Sequence, residues 1–270
     1  MKLDTIFDRL WVDYIMQNPS AGKIHDLFIN EGESVVNDHI AFRTLDYPEI
    51  GIDKLARLFV SNGYVSKGEY NFKEKHLFAK HFELDGVENA PRIFISQLIL
   101  SECSPFLQRT LKEAFKKTGL GKSYREELIF SGSVFSPLSY AIFNKLSEES
   151  EYAAWFYVFG FRANHFTVSI NSLLKYNTIQ GVNELLKKNG FILNNSGGEI
   201  KGSHEDLLQQ SSTIADKVKV GFVEGSYEVP CCYYEFAKRY PDSNGKLYSG
   251  FVAKSADKIF ESTDFRRKET

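Results

Sequence analysis

Apolar and polar positions follow two different periods along the chain, and each period predicts an element. Apolar residues recur at helical spacing in residues 3–18 and 21–31, which predicts two N-terminal helices separated by the turn-forming string NPSAG. HIAFRTL then predicts a strand, and GIDKLARLFVSNGYV predicts a helix that ends at Asn62-Gly63. The strings KHLFAKHFEL and RIFISQLIL predict two further strands.

Residues 104–155 differ from the preceding strands because their pattern is mostly helical. SPFLQRTLKEAFKKTGLG begins with Ser-Pro and ends with glycine, and SPLSYAIFNKLSEESEYAAWFYVFG is also mostly helical. This stretch contains no cluster of residues that points to chemistry. We therefore predict a helical insert, for which a lid over a site and a dimer contact are the two candidate roles.

The first pattern returns after the insert. RANHFTVSIN matches VNDHIAFRT as a strand that opens with a polar residue and a histidine, and TIQGVNELLKKNGF matches the earlier helix with its Asn-Gly end. The spacing from His39 to Gly63 is 24 residues, and the spacing from His165 to Gly190 is 25 residues. Further strands are predicted in VKVGFVEG and VPCCYYEFAKRY. The chain therefore contains two degenerate copies of a strand–helix–strands module.

Two such modules predict an α+β fold in which one curved mixed sheet surrounds a metal cleft, as in the vicinal-oxygen-chelate fold. The N-terminal helices and the helical insert are additions to this core. The expected organisation is a single metalloenzyme domain over residues 1–270, with module 1 at about 35–103, the insert at about 104–155 and module 2 at about 156–250.

Three side chains on the predicted strands could bind one metal ion. Because residues two apart share a face of a strand, His39 lies on a polar face and His165 lies on the corresponding face of the second copy. Glu235 lies among aromatic residues, and a glutamate is rarely buried without a partner. Two imidazoles and one carboxylate form a facial set that leaves open positions for O₂ and a bidentate substrate on non-haem Fe(II), and the same set also binds zinc.

Each of these residues also has a purely structural interpretation. A single histidine in a strand is more often a satisfied structural group than a ligand, and Glu235 could pair with the basic residues that follow it. The repeat favours a metal for His39 and His165 together. Gln97 falls near the expected first-copy counterpart of Glu235, and an amide there would leave the metal with three protein ligands.

Composition and charge limit the other classes of function. A net charge of −2, with both signs spread along the chain, provides no basic footprint for nucleic acid or a membrane surface. Three cysteines without a CxxC pair indicate a reduced, cytoplasmic protein. No apolar run approaches the ~18 residues of a membrane span, and the N-terminal segment lacks the apolar core of a signal peptide. The oligomeric state stays open, and a homo-oligomer is compatible with the sequence.

Four strings resemble the DUF1338 family, namely NDHIAFRTLD, ANHFTVSIN, NSGGEIKGSHEDLLQQSSTIAD and VPCCYYEFAKRY. The resemblance implies a vicinal-oxygen-chelate-like fold and one Fe(II) ion held by His39, His165 and Glu235, although zinc or another divalent metal could occupy the site in isolated protein. It also implies that Arg43, in the HxxxR stretch, grips a 2-oxo acid. QQSST is a further string shared with the family, and we predict that its Gln210 lines the cavity and binds the substrate.

The reaction implied by the resemblance converts 2-oxoadipate, or a related 2-oxo acid, and O₂ to 2-hydroxyglutarate and CO₂ in lysine breakdown. The characterised enzymes are longer than 270 residues, so the elements that close the substrate pocket are expected to differ. Two alternatives stay open on the residues alone. One is a redox-silent lyase, isomerase or hydrolase that uses zinc or another divalent metal, and the other is a non-catalytic protein that binds a small molecule.

Overall fold

An eight-stranded mixed sheet organises the computed structural model, which describes residues 1–87, 89–119 and 128–263. The strands are β1 (Asn37–Leu45), β2 (Tyr64–Phe72), β3 (Leu77–Leu84), β4 (Arg92–Leu98), β5 (Ala163–Ser169), β6 (Lys201–Ser203), β7 (Leu208–Ser212), β8 (Lys217–Phe222), β9 (Gly225–Pro230) and β10 (Tyr233–Arg239). Their order across the sheet is β2-β3-β4-β1-β5-β10-β7-β6, and β8 and β9 form a separate two-stranded sheet.

Helices precede, separate and follow the strands of the sheet. They are α1 (Leu3–Gln17), α2 (Pro19–Asn30), α3 (Ile52–Leu55), α4 (Arg57–Val60), α5 (Pro105–Thr118), α6 (Tyr140–Glu149), α7 (Glu151–Phe159), α8 (Ile179–Lys188) and α9 (Ala253–Phe260). Among the residues that the structure describes, none of these helices has the length and apolar character that crossing a bilayer requires.

The sheet consists of two copies of the same four-stranded arrangement. In each copy the first strand pairs in parallel with the last. In the first copy these strands are β1 and β4, and in the second they are β5 and β10. The two remaining strands of each copy extend the sheet with antiparallel pairing. The copies meet where β1 and β5 pair antiparallel. The predicted α+β fold with two strand–helix–strands modules is therefore confirmed.

The observed elements differ locally from the predicted ones. Helix α2 begins at Pro19, directly after Asn18, because proline fits the first turn of a helix and does not need to end one. The single helix predicted after β1 is two short helices, interrupted at Ala56. Strand β2 was not predicted, because its middle residues are largely exposed and polar and no apolar alternation marks it. Strands β6 and β7 were not predicted either, and VKVGFVEG forms β8 of the separate two-stranded sheet rather than a strand of the second copy.

The central strands separate an apolar face from a polar one. On β5 and β10, the rings of Phe166, Tyr234 and Phe236 point toward α1 and α2, where they pack against other aromatic side chains. Burial of each such side chain stabilises the fold by about 1.5–3 kcal/mol. The alternate residues of the same strands, including His165 and Glu235, therefore face the opposite side.

The predicted insert contains helices α5 and α6 and the start of α7, while residues 120–127 lie outside the described part of the chain. Helix α7 is mostly buried, and its Tyr152 hydroxyl accepts a hydrogen bond from the backbone nitrogen of Thr44 and donates one to the carbonyl of Ser96. The end of the insert is thus anchored to β1 and β4 rather than lying loosely on the surface.

Replacing Gly160 with alanine should destabilise the fold. Gly160 joins α7 to β5 with φ +62°, and a Cβ there would lie 2.3 Å from the carbonyl oxygen of Gly132. The positive φ and the close carbonyl oxygen both disfavour a side chain. We therefore expect the free energy of unfolding of the alanine variant to fall by about 1–3 kcal/mol or more in urea titrations. Gly221→Ala is the control, since no atom lies within 4 Å of its added Cβ. Equal stability of Gly160→Ala and wild type would contradict the assignment.

Candidate metal centre

Three buried side chains from three neighbouring strands converge on one point of the sheet. They are His39 on β1, His165 on β5 and Glu235 on β10, and their candidate ligand atoms all lie within 4.8 Å of one another. The Nε2 atom of His165 lies 3.4 Å from Nε2 of His39 and 3.3 Å from Oε2 of Glu235. Nε2 of His39 lies 3.5 Å from Oε1 of Glu235. The predicted grouping of these residues is therefore present in the structure.

A neighbouring oxygen atom orients each imidazole through its other ring nitrogen. Nδ1 of His39 lies 2.8 Å from Oδ1 of Asp38, and Nδ1 of His165 lies 3.1 Å from Oδ1 of Asn164. Since both oxygens accept hydrogen bonds, each Nδ1 carries the proton and each Nε2 directs its lone pair at the other two ligand atoms. Metal-bound histidines are held in this way.

The cluster fits a divalent metal ion. Burial raises the pKa of Glu235 to about 8 and lowers the pKa of both histidines below its ordinary value. Oε2 of Glu235 is buried and has no hydrogen-bond partner in the described part of the chain. A bound cation would compensate the carboxylate charge and accept the lone pairs of His39 and His165. Two imidazoles and a carboxylate suit iron(II) and zinc alike, so the donor set does not select between them.

The carboxylate that accepts the hydrogen bond from His39 belongs to a buried ion pair between Asp38 and Arg239. Arg239, one of the basic residues that follow Glu235, places Nε 2.7 Å from Oδ2 and Nη2 2.9 Å from Oδ1 of Asp38. Burial alone would raise the pKa of Asp38, but the charges and hydrogen bonds of Arg239 and His39 together outweigh burial and hold this pKa well below its ordinary value. Asp38 therefore stays ionised while it accepts the hydrogen bond from His39.

Aromatic rings close the cleft on the His39 side. The ring of Phe251 meets the ring of His39 edge-on with 4.8 Å between centroids, and it lies equally close to Phe94. Arg239 donates to two carbonyl oxygens of the loop that carries Phe251. The same guanidinium thus fixes both the carboxylate behind the imidazole and the ring that shields it.

Phe94, rather than Gln97, is the first-copy equivalent of Glu235. Glu235 pairs with the residue two positions after His165, and Phe94 pairs with the residue two positions after His39. The prediction for Gln97 was wrong, because the strand register places it three residues further on, where its side chain accepts a hydrogen bond from the backbone of α3. Since a phenyl ring cannot ligate a metal, the first copy contributes only its histidine.

Arg43 lies on β1, and its side chain is almost completely buried. Its Nη1 lies 3.2 Å from Oε2 of Glu151, and its Nη2 donates to Oγ1 of Thr263 at 3.1 Å. The rings of Tyr152 and Trp155 lie 4.8 and 5.0 Å from the guanidinium carbon. Arg43 is therefore enclosed by the insert and by the C-terminal part of the described chain.

Glu151 and Thr263, the two partners of Arg43, are not marked by the sequence. The sequence predicts no chemistry in the insert, yet Glu151, in the first turn of α7, forms an ion pair with Arg43 across 108 positions of the sequence. No local signal marks this contact, since an acidic residue in the first turn of a helix is common for helix-dipole reasons alone. Arg43 also acts on the metal cluster, because its charge contributes to the lowered pKa of His165 after burial and His39.

Gln210, on β7, contacts the carboxylate of Glu235. Its Nε2 donates to Oε1 of Glu235 at 2.5 Å, so it holds one carboxylate oxygen in place. On the other side of the cluster, the ring of Tyr233 stacks on His165 with 4.7 Å between centroids. A role of Gln210 in substrate binding stays a prediction.

Comparisons with known proteins agree with this geometry. A family model described as 2-oxoadipate dioxygenase/decarboxylase matches residues 12–129 and 130–246. The 2-oxoadipate dioxygenase/decarboxylase, chloroplastic/amyloplastic, of Oryza sativa subsp. japonica is 36% identical over 283 residues, which cover 96% of this chain and 78% of that protein.

Solved structures show the same relationship. The hydroxyglutarate synthase from Oryza sativa, in complex with 2-oxoadipate, superposes with a TM-score of 0.90 at 35% identity, over 97% of this chain and 92% of that one. A protein from Shewanella frigidimarina NCIMB 400, described as a hydrolase, is 48% identical with a TM-score of 0.87, over 93% of this chain and 97% of that one. A glyoxalase superfamily protein from Ralstonia eutropha JMP134, with a TM-score of 0.73 at 20% identity, shows the shared fold.

Replacing Glu235 with glutamine should stabilise the metal-free protein more at high pH than at low pH. The pKa of about 8 in the folded chain lies above the ordinary 4.5, so the stability that this proton contributes is complete below pH 4.5 and is lost as the pH rises through 8. Glutamine has no proton to lose. In chelator, the Tm of the variant minus that of wild type should therefore increase between about pH 5 and pH 9. A difference that does not vary with pH would contradict the assignment.

Replacing Asp38 with asparagine should weaken metal binding by about 10- to 100-fold, because loss of an outer carboxylate leaves a ligating histidine less basic and less well oriented. Competition with a chromogenic chelator for Mn(II) or Zn(II) measures the affinity. Asp53→Asn, at an exposed position, is the control. In the double variant with Arg239→Gln, which removes the unpaired guanidinium, the affinity should stay reduced. Full affinity in a folded Asp38→Asn protein would contradict this role.

Proposed function

The chain belongs to the family of 2-oxoadipate dioxygenase/decarboxylases, and we propose that it catalyses the reaction for which the family is named. 2-Oxoadipate and O₂ give 2-hydroxyglutarate and CO₂ at the cluster of His39, His165 and Glu235. The observation that carries the proposal is that these three buried donors converge, with one carboxylate oxygen unpartnered in the described chain, in a protein of this family. Lysine catabolism, as the setting of the reaction, stays a prediction.

The overall reaction balances without an added reductant. C1 of the substrate leaves as CO₂, one atom of O₂ enters the carboxylate formed at C2, and the other becomes the hydroxyl group on C3. The substrate loses four electrons and O₂ gains them. The chain therefore needs to supply a metal site and a binding pocket for a dianionic acid, and no second redox group.

Bound iron(II) would supply open positions at which the carboxylate and keto oxygens of a 2-oxo acid and O₂ are brought together. The residues of the chain prepare this site. Asp38 and Asn164 keep the ring protons on Nδ1 of the two histidines, so that both Nε2 atoms are available. Gln210 donates a hydrogen bond to Oε1 of Glu235, and the ring of Phe251 packs edge-on against the ring of His39.

Arg43 would bind a carboxylate of the substrate. A dianion in a buried cleft needs a cationic partner, and the planar guanidinium matches a carboxylate with two parallel hydrogen bonds. In the structure these directions are taken by Glu151 and Thr263. We propose that the substrate carboxylate takes the place of these oxygens, so that Glu151 and Thr263 hold Arg43 in position until substrate arrives.

Oxygen uptake tests the proposed reaction. Anaerobically prepared protein, loaded with one equivalent of Fe(II), is mixed with 2-oxoadipate in aerated buffer, with 2-oxoglutarate and zinc-loaded protein as controls. We expect 2-hydroxyglutarate and CO₂ to form in equal amounts, with one molecule of O₂ consumed for each molecule of 2-oxoadipate converted. Turnover of a substrate by the zinc-loaded protein without O₂ uptake would instead favour a redox-silent activity, in line with the hydrolase description of the Shewanella frigidimarina protein.

Replacing Arg43 with lysine should lower kcat/KM for 2-oxoadipate by about 10- to 100-fold, because a point charge cannot reproduce the forked hydrogen bonds. Metal content should stay at one ion per chain, since Arg43 is not a ligand. Arg109→Lys, the same change at an exposed position on α5, should leave the rate unchanged. A wild-type rate in Arg43→Lys would show that Arg43 does not bind the substrate.

A further inference from the structure

Tyr233 carries a hydroxyl group for which the structure offers no hydrogen-bond partner in residues 1–87, 89–119 and 128–263. Its side chain is completely buried. The ring stacks on His165 at an interplanar angle of 28°, and its other contacts in the core are Ala215 and Ile259. The carbonyl oxygen of the same residue accepts a hydrogen bond from the hydroxyl of Tyr14. Backbone and ring are thus both fixed, so the hydroxyl has a defined position.

This hydroxyl belongs to the metal side of the sheet. Tyr233 and Glu235 are two apart on β10 and therefore share a face. Burial raises the pKa of the Tyr233 hydroxyl well above its ordinary value, and Glu235, Arg43 and Glu151 are among the groups whose charge also acts on it. The hydroxyl therefore lies within electrostatic reach of both the candidate metal ligands and the Arg43–Glu151 ion pair.

An unpaired buried hydroxyl needs a physical reason, since burial without a hydrogen bond costs free energy. Tyr234, the next residue on β10, provides a comparison because its side chain lies on the opposite face of the strand. The hydroxyl of Tyr234 also lacks a partner in the described chain, but its ring points to the opposite side and lies among Trp11, Tyr14 and Phe236. Within the described residues that environment is aromatic and holds no cluster of candidate metal ligands, whereas Tyr233 lies on the strand face that carries Glu235 and stacks on His165.

We infer that the hydroxyl of Tyr233 donates a hydrogen bond to an oxygen atom of the 2-oxo acid bound at the metal cluster. A phenol keeps its proton at neutral pH and is a donor to an anionic oxygen. Its stacking on His165 sets the donor at a constant position relative to one metal ligand. With Arg43 it would fix the substrate at two points besides the metal. This inference rests on the proposed function, because it takes a 2-oxo acid as the ligand of the cleft.

Two matched variants test the inference. Tyr233→Phe removes the hydroxyl and keeps the stacked ring, and Tyr234→Phe makes the same change on the opposite face of the same strand. Titration calorimetry without O₂ measures the Kd of 2-oxoadipate for each protein loaded with Mn(II), and a chelator competition measures the affinity for the metal itself. The inference expects Tyr233→Phe to raise the Kd by about 10- to 100-fold, as for a hydrogen bond to a charged group, with metal affinity unchanged. Tyr234→Phe should bind as wild type does.

The outcomes separate this inference from the proposed function. If wild type binds 2-oxoadipate and Tyr233→Phe binds it equally well, the role of Tyr233 is wrong and the proposed function stands. If both variants lose affinity alike, the effect belongs to the fold of β10, and the role of Tyr233 is again wrong. If metal-loaded wild type does not bind 2-oxoadipate, the proposed function and the inference fail together.

Discussion

The antiparallel pairing of β1 with β5 is the contact on which the rest of the site depends. It places His39 opposite Thr167 and His165 opposite Ala41, so that two histidines 126 positions apart lie side by side on one face. Because side chains alternate along a strand, a slip of one residue would turn one of the histidines into the aromatic layer under α1 and α2. The parallel pairing of β5 with β10 then adds Glu235 to the pair.

An ion pair stabilises the outer part of the cluster that this pairing assembles. The three ligand side chains at its centre lack a positive charge that would offset the carboxylate of Glu235. Asp38 and Arg239 form a complete buried ion pair behind His39, whereas Glu235 is buried with one oxygen left without a partner in the described chain. A cation between the three ligand atoms would offset the burial of that carboxylate. Metal binding and folding stability should therefore be coupled, as they are wherever a protein forms its ligand set only on folding.

The sequence predicted those features that depend on local alternation and on the repeat. His39 and His165 were identifiable because each opens a strand that is polar on one face, and Glu235 because it is an acid within an aromatic strand. Features that depend on distant packing were not accessible in this way. The ion pair between Arg43 and Glu151, and the equivalence of Phe94 with Glu235, follow from strand register and helix docking that no short window of sequence contains.

The proposed activity requires that His39, His165 and Glu235 hold one metal ion together. Crystals soaked anaerobically with Mn(II), measured with X-rays that give manganese anomalous scattering, test it most directly. We expect one strong anomalous peak per chain, at about 2.0–2.3 Å from the Nε2 atom of each histidine and from a carboxylate oxygen of Glu235. A crystal with no peak at this point, or with the ion bound by other residues, would contradict it.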